Sequence, residues 1–100
     1  MIRKYQKMVE EFKNLKGSGK LILFGSVVEN KSRFDSDIDI AVVSDDTDFL
    51  AKVEEIADEI LFKYNKVVTL IKFSQREFES GLEPIIKEIK KRGITIYEGN

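Results

Sequence analysis

Two aspartates one residue apart, Asp37 and Asp39, lie beyond a Gly25-Ser26 pair and ten intervening residues. The run Leu21-Ile22-Leu23-Phe24 leads into the glycine, and Ile40-Ala41-Val42-Val43 follows the second aspartate. In an extended strand residues i and i+2 share a face. Asp37 and Asp39 then project together, while Ile38 and Ile40 go to the opposite face. Like charges held side by side repel unless a cation sits between them. The pair therefore reads as a site for a hard divalent metal ion. Gly25 and Ser26, where a strand ends, read as a phosphate-binding corner. Glycine lets the backbone approach a phosphate closely, and amides at a helix start with a serine hydroxyl can hold its oxygens. Taken alone, Gly-Ser is an ordinary strand-ending turn, and Asp-x-Asp occurs in solvated turns. Their coupling after a hydrophobic strand is what favours chemistry.

Composition narrows that chemistry. There is no cysteine, so disulfides and thiolate zinc sites are excluded. There is no histidine, which removes the commonest general base and the commonest transition-metal ligand. Oxygen ligands remain, and these suit magnesium, manganese or calcium. With 17 basic and 18 acidic residues the net charge is −1, so no global field points to nucleic acid or an anionic membrane. A hydrophobic content of 42% in 100 residues is globular, and the expectation is one domain over 1–100. No apolar run is long enough to span a bilayer, and the N-terminus lacks a signal-like core. A cytoplasmic setting is the expectation.

The elements that must position these residues follow from periodicity. Ile2, Tyr5, Val9, Phe12 and Leu15 predict a helix over 2–16, ended by Gly17-Ser18-Gly19. Residues 21–24 predict a central strand, apolar on both faces. Residues 27–36 begin as a helical turn and become loop, and 38–43 is a second strand. Asp45-Asp46-Thr47 caps a long helix to about Tyr64. Its stripe is Phe49, Leu50, Val53, Ile56, Ala57, Ile60 and Leu61. A third strand runs over 67–73, and Ser74 caps a short helical turn through Phe78. Pro84 opens a last helix with Ile85, Ile86 and Ile89 on its face, ended by Gly93. Residues 94–97 form a terminal strand. Lys87 to Arg92 reads as charge complementing the helix dipole, not as a nucleic-acid surface. Phe62, Tyr64, Phe73 and Phe78 read as packing aromatics. The element order predicts an α/β sandwich, a small mixed sheet against helices.

Gly25-Ser26, ten residues and Asp37-Ile38-Asp39, on successive strands, resemble the nucleotidyltransferase superfamily of the DNA polymerase beta type. The length is similar to that of its minimal branch. The resemblance covers the whole chain in element order, and its specificity lies in residues 21–43. It implies that Gly25 and Ser26 hold the nucleotide's phosphates. It implies that Asp37 and Asp39 are the catalytic metal ligands, binding two magnesium ions (or manganese). Two-metal catalysis of this kind needs no histidine. In this family a third carboxylate on the next strand completes the site. Here that position falls near Thr69, and no acid stands between Lys66 and Ser74. A threonine hydroxyl cannot act as a general base at neutral pH. A second departure is the turn after Ser26. It carries Val27, Val28, Glu29 and Asn30 where the family often has arginine and glycine. Lys31 and Arg33 read as solvated loop charges, and Asp35 as a turn residue.

The resemblance implies a magnesium-dependent transferase that moves a nucleoside monophosphate, AMP from ATP, to a hydroxyl. Minimal members are often paired with a helical HEPN-type toxin, and some modify a tyrosine of that partner. A chain this short would take its acceptor platform from a partner or from another copy of itself. The alternative is a catalytically weak or inactive module of the same fold that binds nucleotide or a partner protein. Loss of an activating base typically costs about 10²- to 10⁴-fold. A third reading, an unrelated domain with a calcium-like turn, is disfavoured because calcium loops need more oxygen donors than Asp37 and Asp39 supply.

Overall fold

Leu21, Leu23, Ile38, Ile40 and Val42 belong to one buried cluster, and Ile22, Ala41 and Val43 to another. Alternation along two neighbouring strands thus feeds two cores, one on each face of a single sheet. The computed structural model describes residues 3–25 and 37–99. In chain order the elements are α1 (Arg3–Glu10), β1 (Gly19–Phe24), β2 (Ile38–Val43), α2 (Thr47–Tyr64), β3 (Val68–Phe73), α3 (Gln75–Ser80), α4 (Pro84–Arg92) and β4 (Ile94–Gly99).

The sheet order is β3-β2-β1-β4. β1 pairs antiparallel with β2 and with β4, and β2 pairs parallel with β3. A parallel neighbour needs a crossover, and α2 is that crossover. The α/β expectation of a mixed sheet against helices is borne out. Tyr5, Met8 and Phe12 from α1 and the turn after it join Phe49, Val53 and Ile60 of α2 on one face. Phe78 of α3 and Ile86 and Ile89 of α4 join Phe73 on the other. β1 and β2, apolar on both faces, are therefore the central strands.

Local chemistry sets the ends. Asp46 is the N-cap of α2, accepting from the amides of Asp48 at 2.9 Å and Phe49 at 3.3 Å. Asn65 ends α2 in the left-handed region at φ 54°. Ser74 and Glu77 form a reciprocal capping box on α3. The Ser44 hydroxyl donates to the Ser18 carbonyl at 2.6 Å and accepts from the Asp46 amide at 3.0 Å. It ties the end of β2 to the start of β1. At that start, a Cβ on Gly19 would stand 2.4 Å from the Phe49 ring, which also packs on Tyr97. Glycine is what lets β1 lie on that ring.

Three expectations are corrected. The first helix ends at Glu10, and the chain tightens into a turn with Glu11, Phe12 and Lys13 amides bonding Met8, Val9 and Glu10 carbonyls. Phe12 and Leu15 are still buried, because the turn keeps them over the sheet. Phe62 does not pack: it is 91% exposed. It lies two residues past buried Ile60, about 200° around the helix at 3.6 residues per turn. Leu61, at 46% exposure, also sits outside the buried stripe.

Candidate functional site

Asp37 immediately precedes β2, and Asp39 is its second residue. The parallel pairing with β3 is anchored at this end by the Ile38 amide donating to the Val67 carbonyl at 2.9 Å. Ile38 is buried against the α1 and α2 side. Asp39 therefore takes the face of Ala41 and Val43, the side of α3 and α4. Asp37 is exposed and Asp39 half-buried. Burial, and then the Asp37 carboxylate beside it, hold Asp39 above the usual carboxylate range. Burial penalises the charged form and a like charge adds to the penalty. A cation between the two groups would relieve both.

β1 brings the glycine to this pair. Phe24 faces Asp39 in the antiparallel register, and Gly25 follows at φ +82°. A Cβ on Gly25 would stand 2.5 Å from Asp39 Oδ2. The glycine thus does two things here: it turns the chain through a left-handed conformation, and it leaves space for the Asp39 carboxylate. The second role is invisible in sequence, since it depends on the strand register.

β3 brings Thr69. It is the Cα partner of Asp39, and its hydroxyl donates to Asp37 Oδ2 at 3.3 Å. Among the described residues, no group of three or more acidic, histidine or cysteine side chains is placed to hold a metal ion. The structure thus gathers Gly25, Asp37, Asp39 and Thr69 at one end of the sheet. Ser26, together with Glu29, Asn30, Lys31, Arg33 and Asp35, lies outside the described residues. A separate cleft, lined by Ser18, Gln75 and Glu79, sits at the other end of β1 and β2. It shares no residue with the aspartate pair.

The polymerase beta nucleotidyltransferase model matches residues 6–100. The chain belongs to the polymerase beta nucleotidyltransferase family. No curated protein gives a significant sequence match. Among solved structures, the nucleotidyltransferase chain is similar to a chain in a crystal structure of a toxin–antitoxin with AMP-PNP. The TM-score is 0.62 at 22% identity, covering 93% of this chain and 72% of that one. It is also similar to chains in crystal structures of two mutants of the toxin–antitoxin MntA-HpeT. There the TM-scores are 0.59 and 0.58 at 20% identity, covering 93% and 98% of this chain and 71% and 74% of those. At such identities the likeness establishes the nucleotidyltransferase fold. No helix among the described residues is long and apolar enough to cross a membrane.

Proposed function

We propose that this protein is a metal-dependent nucleotidyltransferase acting within a toxin–antitoxin pair. It would transfer AMP from ATP to a hydroxyl on a helical, HEPN-type partner, and residues 1–100 would form one such domain. The observation that carries the reading is the Asp37–Asp39 pair at the start of β2 with Gly25 folded against Asp39. Family membership and the toxin–antitoxin setting of the similar structures support it.

The residues present fit a hard divalent cation. Asp37 and Asp39 offer carboxylate oxygens from one strand face, and burial, then the proximity of Asp37, already disfavour a bare Asp39 charge. Both would be the metal ligands, for Mg²⁺ or Mn²⁺. Such an ion, when bound, neutralises charge on the phosphoryl oxygens and lowers the cost of pyrophosphate departure. The chain's own residues do the positioning. β2 holds Asp39 between β1 and β3, and Thr69 orients Asp37. Gly25 keeps the space beside Asp39 clear, and with Ser26 it would receive the triphosphate. The acceptor oxygen forms a bond to the α-phosphorus while the bond to the bridging oxygen breaks. Pyrophosphate leaves with that electron pair. β3 supplies no side-chain base, so the acceptor's proton passes to solvent or to a group the acceptor brings.

Incubation with labelled ATP and Mg²⁺, with and without the helical partner, tests the reading. Label on the partner, lost in Asp39→Asn, is the expected result. Tight nucleotide binding with no transfer under any divalent metal would leave a binding module of the same fold, the role that the Thr69 substitution favours.

A further inference from the structure

β3 stands at one end of the sheet order, so one of its edges meets β2 and the other meets no strand among the described residues. The ladder shows which groups face each way. The Ile38 amide donates to the Val67 carbonyl at 2.9 Å, and the Ser44 amide to the Phe73 carbonyl at 3.1 Å. In a parallel ladder the bonding residues recur at every second position. Val67, Thr69, Ile71 and Phe73 therefore turn their main-chain groups to β2. Val68, Leu70 and Lys72 turn theirs outward, each with a donor and an acceptor to satisfy.

The side chains of these same three residues lie on the α2 face. With Glu54, Ala57 and Asp58 of α2 they line a groove of about 350 Å³. Val68 and Leu70 are only half-buried there, and Val67 beside them is 48% exposed. Sheet edges are normally guarded by charge, proline or a bulge. The run Val67-Val68-Thr69-Leu70-Ile71 carries neither charge nor proline, and its register with β2 is unbroken. From this juxtaposition we propose that the β3 edge and the groove beside it dock an extended segment of a partner protein, added as a fifth strand, whose groove-facing side chains are apolar and basic.

Charge decides the occupant. Lys72 is paired with Glu54, and Asp58 stands in the same wall of the groove. Residues 54–59, Glu-Glu-Ile-Ala-Asp-Glu, carry acids at 54, 55, 58 and 59 and no base. A lysine or arginine beside Asp58 meets opposite charge, while apolar neighbours two residues away cover Val68, Leu70 and Ala57. A second copy of this chain, paired edge to edge about a twofold axis, would bring its own α2 onto the same face of the joined sheet. The two acidic stretches would then oppose each other, which disfavours self-pairing. In strand addition the main-chain bonds give affinity and the alternate side chains give selectivity. The groove lies on the face of the sheet opposite Asp39, and the inference does not depend on the transferase reading.

The test is amide hydrogen exchange of the full chain, resolved by NMR, with the capped peptide Thr-Val-Thr-Arg-Thr-Val-Thr as the probe. Its valines and arginine share one strand face. Without peptide, the amides of Val68, Leu70 and Lys72 are expected to exchange at least tenfold faster than those of Thr69, Ile71 and Phe73. Saturating peptide is expected to slow the first set at least tenfold. An exposed ion pair is worth a factor of about 1.5 to 5. Asp58→Asn, shown folded by its thermal melt, should therefore weaken binding about threefold. Glutamate in place of the peptide's arginine adds repulsion and should weaken it about tenfold, and both differences should shrink in 1 M salt. Of two peptides N-methylated at alternate residues, the one blocked along its bonding edge should lose binding. Equal binding by both would overturn strand addition. No slowing at millimolar peptide, or slow exchange of Val68, Leu70 and Lys72 in the peptide-free monomer, would overturn the docking edge. Equal affinity for the glutamate peptide would overturn the basic partner. Protection that rises with protein concentration, together with a dimer mass in sedimentation, would overturn the proposal in favour of a second copy.

Discussion

Replacing Asp39 by asparagine should make the metal-free protein more stable while removing the proposed metal site. Asn is close in shape to Asp, so the sheet and the contact with Gly25 are kept, and what changes is the charge. Burial and Asp37 raise the Asp39 pKa above that of an unfolded aspartate. The sign follows from linkage: the folded state binds the proton more readily, so stability falls as pH rises from the unfolded value through the folded one. Above the folded value the full penalty is present. Its Coulombic part can be sized. Alternate residues on a strand are about 6.6 Å apart. Two unit charges at that separation cost about 0.6 kcal/mol in water and about 2.5 kcal/mol at an effective dielectric of 20. Asp37 is exposed, so the site belongs near the lower figure, about 1 kcal/mol. For a chain of this size that is a rise in Tm of about 5 °C. Thermal melts in EDTA at pH 7 and low salt measure it. The difference should shrink in 1 M salt, where the screening length is about 3 Å. It should also shrink at acid pH, where wild-type Asp39 takes up its proton. In saturating Mn²⁺ the order should invert, because only wild type gains about 2.7 kcal/mol at 100 times Kd. A metal-free Asp39→Asn protein no more stable than wild type would refute the claim that the pair is strained by its own charge.

Other expectations concern neighbouring contacts. Gly25→Ala forces a Cβ into a left-handed turn and to within 2.5 Å of Asp39 Oδ2. It should lose about 1–2 kcal/mol in urea unfolding, and it should weaken Mn²⁺ binding because the displaced atom is an oxygen of a proposed metal ligand; a metal affinity equal to wild type would contradict the contact. Glu11 is held below the usual carboxylate range chiefly by its bond to Lys63, with Tyr64 contributing, across the contact of the α1 turn with α2. Its contribution is present above the unfolded carboxylate pKa and is lost as pH falls through the lowered folded value. Glu11→Gln should therefore lose stability at neutral pH, with the deficit closing in acid, as read from melts across that range.

Much of the fold was legible from sequence because its signals are local. The β2 limits follow from the run after Asp37, and the α2 limits from Asp46 at one end and Asn65 at the other. Pro84 and Gly93 bracket α4 for the same reason: each acts through its own backbone geometry. Phe62 differs: an apparent core periodicity suggests packing, but its angle around α2 carries it away from the sheet. The length of α1 depended on how the chain turns onto the sheet, which periodicity does not report.

At the site, residue types and an i, i+2 spacing were enough to put Asp37 and Asp39 on one strand face and to suggest a hard cation. That needs only strand geometry and Coulomb's law. Register is different, because it is a relation between strands far apart in the chain. Phe24 opposite Asp39 sets Gly25 against a carboxylate, and Thr69 opposite Asp39 gives Asp37 a hydroxyl partner. A slip of one residue would turn every one of those side chains to the other face. The sequence by itself determined which groups carry charge; the packed sheet decided which of them meet, because only pairing and two-sided burial fix the register.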